Sequence, residues 1–442
     1  MITQDSYRQR RETLMGKLKD SQGIVFLKGN SIIERNPDIE YAFRQNSSFK
    51  YFTGIDIPNM AMILDPREGK YILFGRETSF KERIWVGEQP SLEEIRQTYG
   101  ADSIYPISSL DEFFERYMES SDILSLPSKD IPKEYCSNLL CDAVLNMRLV
   151  KSPEEISCIE KALEITAESH EAIMRATKSG MYEYNLKAIA DYIYANHNVT
   201  SAYNPIITVE GEVLHNAKYG NMLQKGHLLL VDSGCEVDCY ASDITRTLPV
   251  QGKFTPEQRD IYELVLAAQE KAIGMAKPGI SLSDIHMHAE FVIASGLRDL
   301  GLLNGSMDSI FELQLPHKVF FMHGIGHNLG LDVHDCADIM TYIGRKRSET
   351  NLEPGMVITI EPGIYFNRIL SSDTKTIEDN KDYINWDLAR KLAKSISGIR
   401  IEDDILITNS GHKILGPHIP KRINELESVV GLGPYNPAHS GI

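Results

Sequence analysis

The 442-residue chain has little cysteine and tryptophan, with six Cys and two Trp, and it lacks long apolar runs. Six cysteines are too few for a disulfide framework, so we expect reduced thiols, including Cys235 and Cys239 of the C-x-x-x-C pair. No stretch approaches the ~20 apolar residues that span a bilayer, and the charged N-terminus has no apolar core typical of a secretion signal. We therefore expect a cytoplasmic protein without membrane association.

Basic residues are also outnumbered: the chain has 46 Lys and Arg but 62 Asp and Glu, which gives a net charge of −16. Nucleic acids and anionic lipids are bound through basic patches, so this balance predicts no nucleic-acid partner. The surplus of acid fits either plain solubility or a carboxylate-lined site. A hydrophobic fraction of 42% is ordinary for a globular protein, and the length predicts two or three domains.

A helix start near residue 150 divides the sequence. Upstream, short β-like runs such as Val25–Lys28 alternate with helical segments such as Ser91–Tyr99, which indicates an α/β or α+β domain. Ser152-Pro153-Glu154-Glu155 is a capping box with proline at the first helical position, followed by apolar residues at helical spacing. We predict one domain over residues 1–150 and a second over residues 151–442.

The same capping device recurs at Thr255-Pro256-Glu257-Gln258, where it opens another helix with apolar spacing. Two similar helix starts within the second domain indicate an internal duplication. The segment 371–394 is polar, and we expect a surface loop with one short helical piece there.

Two aspartates lie close to an apolar run in the second domain. The run Leu228–Val231 ends in Asp232, and Asp243 follows after residues 235–242, which can form a hairpin turn. The turn would place the two carboxylates on neighbouring strands, converging on each other. Such a pair is compatible either with turn and cap chemistry or with a metal site.

Two glutamates are delivered to the interior in a similar way. The alternating strand Val357–Ile360 ends in Glu361, and Glu402 lies within a predicted strand that continues to Ile407. An isolated buried acid usually pairs with a basic side chain, and Arg400 is the available partner for either glutamate.

Three of the 13 histidines fall within residues 323–334, in the segment HGIGHNLGLDVHD. The glycines between them allow the backbone to approach closely or to turn sharply. His323, His327 and His334 are therefore candidates for a metal or substrate site, against the alternative of ordinary core or surface residues.

Together these segments supply four carboxylates and one imidazole. Four anions cannot share a dry pocket unless cations lie among them, and two divalent ions bridged by carboxylates would resolve the conflict. Oxygen-dominated ligation with one imidazole suits Mn²⁺ or Co²⁺, while Zn²⁺ and Fe²⁺ remain possible. A hydroxide between two such ions is a nucleophile at neutral pH, so the set predicts a hydrolase. Its members are Asp232, Asp243, His327, Glu361 and Glu402.

Other polar residues then acquire roles. His215, His323 and His334 could hold substrate and stabilise the oxyanion of a tetrahedral intermediate, and Arg400 could orient carboxylates.

These motifs resemble the aminopeptidase P family of proline-specific, pita-bread metallopeptidases. The resemblance implies an N-terminal α/β, creatinase-like domain and a C-terminal pita-bread α+β catalytic domain with pseudo-two-fold symmetry. It implies release of the N-terminal residue from peptides with proline at position 2, by attack of a hydroxide that bridges two divalent metals. The segments that carry it are YAFRQNSSFKYFTG, KSPEEI, VDSG, SDITRT with GKFTPEQRDIYELV, HGIGHNLGLDVHD, EPGIY and GIRIEDD.

The resemblance also implies a role for individual residues. All five ligand positions are filled, and Glu361 would also move protons between the bridging water and the leaving proline nitrogen. Asn328 departs from the family, in which an aromatic residue is common, and this changes the expected shape of the proline pocket. The side chains implied to line the substrate subsites or to support the metals are His215, His323, His334, Arg400, Tyr365 and Thr245.

A homodimer or homotetramer is implied by the family alone. Its N-terminal domain lends residues to a neighbouring subunit's site, and Asp38 and Trp85 match such positions. The plainer interpretation is a turn or cap for Asp38 and a core position for Trp85.

Three other functions share parts of this pattern. Prolidase cleaves only Xaa-Pro dipeptides and recognises their free carboxylate. Methionine aminopeptidase uses the same type of ligands but needs no separate N-terminal domain of about 150 residues. Pita-bread domains that serve as catalytically inactive binding modules have lost metal ligands, and here all five are present.

Overall fold

The computed structural model describes residues 2–21, 23–118 and 122–433. The chain forms two compact units, one of Met1–Arg148 with Cys336–Arg345 and the other of Leu149–Asp335 with Lys346–Ile442. The ends of the predicted domains, at residue 1 and over residues 434–442, lie outside the described residues. None of the described helices is long and apolar enough to cross a membrane.

Helices and strands alternate along both units. The described α-helices are α1 (Gln4–Leu18), α2 (Ser47–Thr53), α3 (Phe80–Val86), α4 (Leu92–Tyr99), α5 (Leu110–Met118), α6 (Asn138–Leu149), α7 (Pro153–Ala176), α8 (Glu183–Asn196), α9 (Pro256–Met275), α10 (Leu282–Asp299), α11 (Ala337–Tyr342), α12 (Thr374–Asp379), α13 (Trp386–Leu392) and α14 (Ile423–Val429). The described strands are β1 (Ile24–Lys28), β2 (Glu34–Asn36), β3 (Ile39–Glu40), β4 (Ala61–Asp65), β5 (Lys70–Gly75), β6 (Ser103–Pro106), β7 (Ile123–Leu124), β8 (Thr200–Ser201), β9 (Ile206–Thr208), β10 (Leu228–Asp232), β11 (Cys235–Val237), β12 (Tyr240–Ala241), β13 (Thr245–Pro249), β14 (Val357–Ile360), β15 (Gly363–Tyr365), β16 (Gly398–Arg400), β17 (Asp403–Ile407) and β18 (His412–Ile414).

The first unit is built on a mixed five-stranded sheet in the order β6-β5-β4-β1-β7. The β1–β4 and β4–β5 pairs are antiparallel, whereas β5–β6 and β1–β7 are parallel. Apolar side chains such as Phe26, Ile63 and Phe74 form its buried core. The predicted strand at Val25–Lys28 is confirmed, and Ser91 caps the predicted helix through a capping box with Glu94.

The second unit repeats one pattern, a pair of helices followed by a three-stranded sheet. Helices α7 and α8 precede the sheet β13-β10-β9, and α9 and α10 precede the sheet β14-β17-β18. Both predicted capping boxes are present, with Ser152 accepting from the Glu155 N–H and Thr255 from the Gln258 N–H. This repetition agrees with the expected internal duplication.

Two local predictions are wrong. Glu402 is not inside a strand, because β16 ends at Arg400 and β17 begins at Asp403, and Glu402 instead forms an isolated bridge with Thr245. The segment 371–394 contains two helices rather than one. Helix α13 forms because Asn385 caps it and because its apolar side chains, Trp386 among them, are buried. The polar composition of segment 371–394 gave no sign of this buried helix face, so the second helix was not predicted.

Candidate metal centre

Asp232 and Asp243 converge as the hairpin pattern predicts. Asp232 is the last residue of β10 and pairs with Thr245 of the antiparallel strand β13, two residues after Asp243. The predicted turn between them is the β11–β12 hairpin. Oδ1 of Asp232 and Oδ1 of Asp243 lie 2.7 and 2.6 Å from the hydroxyl oxygen of Tyr203. Strand pairing therefore brings both carboxylates to one point.

Three further donors join them. Nε2 of His327 lies 3.4 Å from Oδ2 of Asp243 and 3.7 Å from Oε1 of Glu361. Donor atoms of Asp243, His327 and Glu402 lie within 4.8 Å of one another, and all three residues are buried. The imidazole is oriented from behind, because Nδ1 of His327 is 3.1 Å from the carbonyl of Asn328. In the tautomer in which Nδ1–H donates to this carbonyl, Nε2 faces Asp243 with a lone pair that can bind a metal ion.

Two glycines permit the close backbone approach that the site requires. A Cβ on Gly234 would lie 1.9 Å from the carbonyl oxygen of Ser242, and one on Gly326 would lie 1.9 Å from that of Thr359. The first close approach lies between the two Asp-bearing segments, and the second lies between the histidine loop and β14. Both explain glycine by lack of space rather than by backbone conformation.

Arg400 links several of the acidic segments. Its Nη2 donates to Oδ2 of Asp232 at 2.5 Å, and its Nε donates to Oγ1 of Thr245 at 3.2 Å. Thr245 in turn donates to Oε2 of Glu402 at 2.6 Å. Arg400 is 4% exposed, so one buried cation is set against a group of four carboxylates.

Protonation equilibria reflect this crowding of negative charge. Burial, and then the neighbouring carboxylates, raise the pKa of Glu402 well above its usual range. Burial raises the pKa of Glu361 to about 7, despite the opposing charges of His327 and Arg400. The pKa of Asp232 is raised by burial and by Asp243, although Arg400 opposes the shift. Without additional cations, some of these carboxyls must take up protons.

The donor set fits divalent cations. The donor atoms of Asp243, His327 and Glu402 are no more than 4.8 Å apart, which is comparable to twice a metal–ligand distance of about 2.0–2.2 Å. Carboxylates bound to cations need no protons, so cations would offset both the burial of charge and the mutual repulsion that raise these pKa values. The contact of the Tyr203 hydroxyl with both aspartates also favours a bound cation. One hydroxyl hydrogen cannot be donated fully to both Asp232 and Asp243.

The residues expected to handle substrate lie in different surroundings. Nε2 of His323 is 2.8 Å from the hydroxyl of Tyr365, which also accepts from Nη1 of Arg400 at 3.1 Å. The ring of His334 is exposed, with its centroid 4.2 Å from that of His327. His215 is exposed within a turn-rich loop. The geometry thus brings His323, Tyr365 and His334 next to the carboxylates.

Asp38 and Trp85 belong to the first unit and are not part of this cluster. Asp38 occupies the β2–β3 turn with φ of 65°, which agrees with the plainer interpretation as a turn residue. Trp85 is 82% exposed, so a core position for Trp85 is wrong.

Two residues of the site were missed from the sequence. Tyr203 precedes β9 in an ordinary loop, and no motif marks it. Asp404 is the last acid of GIRIEDD, and its Oδ2 accepts from the Asp243 N–H at 3.0 Å, 161 residues away. Burial, together with the charge of Asp243, raises the pKa of Asp404 well above its usual range. The run of three acids in that motif was the available signal.

Comparison with known proteins gives consistent matches over nearly the whole chain. Residues 157–409 match the model of metallopeptidase family M24, and residues 7–125 match the aminopeptidase P N-terminal domain. The chain is 32% identical to the Xaa-Pro aminopeptidase of Escherichia coli strain K12, with 97% of this chain and 98% of the relative covered. It is 33% identical to that of Haemophilus influenzae, with the same coverage.

Solved structures agree. Proline aminopeptidase P II from Yersinia pestis superposes with a TM-score of 0.84 at 32% identity, covering 98% of this chain and 100% of the other. Zinc-substituted Escherichia coli aminopeptidase P in complex with product gives a TM-score of 0.83 at 30% identity, covering 97% and 98%.

Proposed function

The chain belongs to metallopeptidase family M24, and from that membership we propose how its residues carry out the reaction. The protein is an enzyme that removes the N-terminal residue before proline in a metal-dependent reaction. Its fold is an aminopeptidase P N-terminal domain followed by a pita-bread catalytic domain. One observation carries the chemical proposal: four carboxylates and one imidazole converge in a largely buried pocket that requires cations.

Two divalent cations are the proposed cofactors. Mn²⁺ suits an oxygen-rich set with one imidazole, and Co²⁺, Zn²⁺ and Fe²⁺ are the alternatives. When bound, the ions would supply Lewis acidity and lower the pKa of a water molecule, so that hydroxide is available at neutral pH to attack a peptide carbonyl. The proposed ligands are Asp232, Asp243, His327, Glu361 and Glu402.

Glu361 is the proposed proton carrier. Its side chain is 19% exposed, compared with 10% for Asp232 and 7% for Asp243, so it is the most accessible of these three carboxylates. A carboxylate in this position takes the proton released by the attacking water. It then delivers that proton to the proline nitrogen as the carbon–nitrogen bond breaks.

The surrounding side chains position the substrate. Proline lacks an N–H and has a fixed φ, so its peptide bond needs a dedicated pocket. His323, held by the Tyr365 hydroxyl, and the exposed His334 lie beside the carboxylates and can contact the ring and the developing oxyanion. His215 contacts the substrate from its loop, while Arg400 and Thr245 hold carboxylates in place.

A peptide panel tests this function. We expect cleavage of Xaa-Pro-Yaa and Xaa-Pro-Pro in the presence of Mn²⁺, and little cleavage of Xaa-Ala-Yaa. Prolidase is not favoured, because the curated relatives are Xaa-Pro aminopeptidases. Cleavage restricted to Xaa-Pro dipeptides would instead identify the enzyme as a prolidase. Cleavage of Xaa-Ala-Yaa as fast as Xaa-Pro-Yaa would overturn proline specificity.

The N-terminal domain, residues 1–150, is proposed to mediate assembly into a homodimer or homotetramer. Helix α3 has no buried residue, and it exposes Phe80, Ile84 and Trp85 by 70% or more. In this proposal a second copy covers this face, and Asp38 and Trp85 contribute to the edge of the neighbouring subunit's substrate site. Analytical ultracentrifugation of the wild type and of Trp85→Glu tests this, since an unchanged mass would contradict it.

A cytoplasmic location is also proposed. None of the six cysteines forms a disulfide, which is usual in a reducing compartment. Cys235 is fully buried, and burial raises the pKa of its thiol to about 11, so this thiol is poorly reactive. Fractionation of cells that express a tagged protein is the direct test.

A further inference from the structure

A chain of hydrogen bonds leads from a buried carboxylate to the loop that carries His215. The carboxylate is Glu183, the first residue of α8, which is completely buried. No lysine or arginine pairs with it among the described residues; four hydrogen bonds hold it instead. The donors are the Thr208 hydroxyl at 2.9 Å, the Val209 N–H at 2.8 Å, and the N–H and Nδ2 of Asn221 at 3.0 and 3.1 Å.

These donors come from both ends of the segment 208–221. Glu183 therefore joins the start and the end of the loop that projects His215. The backbone reinforces the closure, because the Glu183 N–H donates to the carbonyl of Asn221 at 3.1 Å. A buried carboxylate that accepts several N–H hydrogen bonds binds its donors strongly. The Glu183 side chain is therefore held in one position, and so are the two loop ends that donate to it.

The direction of the hydrogen bonds through Thr208 follows from the capacity of a hydroxyl. The Thr208 hydroxyl donates its single hydrogen to Oε1 of Glu183, which accepts it. The two lone pairs of Thr208 then accept from the Glu210 N–H at 3.0 Å and from Nδ2 of Asn216 at 3.1 Å. The hydroxyl has one donor and two acceptor sites, and all three are used.

This polarity also fixes the amide of Asn216, which is 5% exposed. With Nδ2 directed to Thr208, Oδ1 accepts from the Lys218 N–H at 3.0 Å. The Asn216 N–H donates to the carbonyl of Val213 at 3.2 Å and closes the turn in which His215 is the third residue. The residue immediately after His215 is thus anchored on both its backbone and its side chain.

We infer that Thr208 and Asn216 are positioning residues for His215, with Glu183 as the fixed end of the relay. The inference rests on the proposed function, in which His215 contacts substrate. An exposed histidine on a loop loses its useful orientation unless the loop is held, and small displacements of a positioned group cost large factors in rate.

Thr208→Val tests the relay because it removes the hydroxyl and keeps the shape of the side chain. Glu183 retains three donors, so we expect a folded protein. With Mn²⁺ saturating and an Xaa-Pro-Yaa peptide as substrate, we expect kcat/KM to fall about five- to twentyfold. Thr208→Ser retains the hydroxyl and should recover most of the activity. Thr177→Val is the matched control, since Thr177 is equally buried but bonds to the Ile173 carbonyl in α7.

The decisive measurement is kcat/KM of the double mutant that combines Thr208→Val with His215→Ala. If Thr208 acts through His215, Thr208→Val should cause no further loss in the His215→Ala background. Additive losses would overturn the inference while leaving the role of His215 intact. If His215→Ala alone has no effect, the proposed substrate contact fails instead. Should Thr208→Val not fold, Asn216→Ala in the same cycle gives the same discrimination.

Discussion

Arg400 donates through Nη2 to Oδ2 of Asp232 at 2.5 Å, and the two side chains are 5% and 10% exposed. These residues are 168 positions apart, yet each lies at the end of a short strand. The pair places a full positive charge against one of the clustered carboxylates. It therefore bears on the stability of the metal-free protein.

Arg400→Ala should lower the free energy of unfolding of the metal-free protein by about 3–5 kcal/mol, because the buried Asp232 loses its cationic partner. Urea unfolding after chelation measures this. The control is Arg259→Ala, which removes a 41% exposed arginine bonded to Glu427 at 2.7 Å and should cost less than about 1 kcal/mol. Equal losses in the two variants would mean that Arg400 carries no special electrostatic role.

Glu361→Ala should reduce kcat by at least about 10²–10⁴-fold without unfolding the protein, since it removes both a proposed metal ligand and the proposed proton carrier. Turnover in Mn²⁺-repleted buffer and circular dichroism are the measurements. Glu353→Ala, at an exposed position just before β14, is the control and should be fully active. Near-normal turnover of Glu361→Ala would refute the dinuclear assignment.

Chelation should abolish activity, and Mn²⁺ should restore it better than Mg²⁺ does. Mg²⁺ keeps its water ligands and has little preference for imidazole, whereas Mn²⁺ accepts a mixed oxygen and nitrogen set. Mn²⁺ should also raise the melting temperature, because it binds the folded chain. An equally active metal-free enzyme would defeat the metal argument.

Stability should fall as the pH decreases from about 6.5 to 4. Burial, and then the charge of Arg246, lower the pKa of His170 to about 4, while the unfolded chain binds this proton near pH 6.5. The folded state therefore excludes a proton that the unfolded state takes up. The contribution is complete above pH 6.5 and is lost as the pH falls through that window, by up to about 3 kcal/mol.

His170→Gln keeps a donor for the Ser233 carbonyl, which lies 3.1 Å from Nε2 of His170, but it does not titrate. The stability difference between the wild type and this variant should shrink between pH 7 and pH 4 in urea titrations. His418→Gln, at a 66% exposed histidine, is the control. A difference independent of pH would contradict the assignment.

Two glycine-to-alanine substitutions should have opposite effects. Gly326→Ala forces a Cβ to within 1.9 Å of the Thr359 carbonyl and should cost about 3 kcal/mol or more, with loss of activity. Gly274→Ala lies on the exposed side of α9 with nothing within 4 Å and should stabilise the protein by about 0.5–1 kcal/mol. Thermal unfolding distinguishes them, and similar shifts would show that the close approach of Gly326 is unimportant.

The sequence by itself determined the repeated helix starts, the strand that ends in Asp232, the strand that directly precedes Glu361, and the five candidate ligands. Each of these features can be recognised from a short segment of sequence: a capping box, an apolar run followed by an acid, or histidines spaced by glycine. The family motifs were local as well. The roles of the individual site residues stay predictions until the variants above are measured.

Only the tertiary structure decided which distant groups meet. Tyr203 lies between Asp232 and Asp243, Asp404 accepts from the backbone of Asp243, and Thr208 joins Glu183 to the loop of His215. Such partners are chosen by the pairing of strands and the packing of helices that are far apart in the chain. A hydroxyl or carboxylate in a loop has no periodic signal, because its role depends on groups that only folding brings within hydrogen-bonding distance.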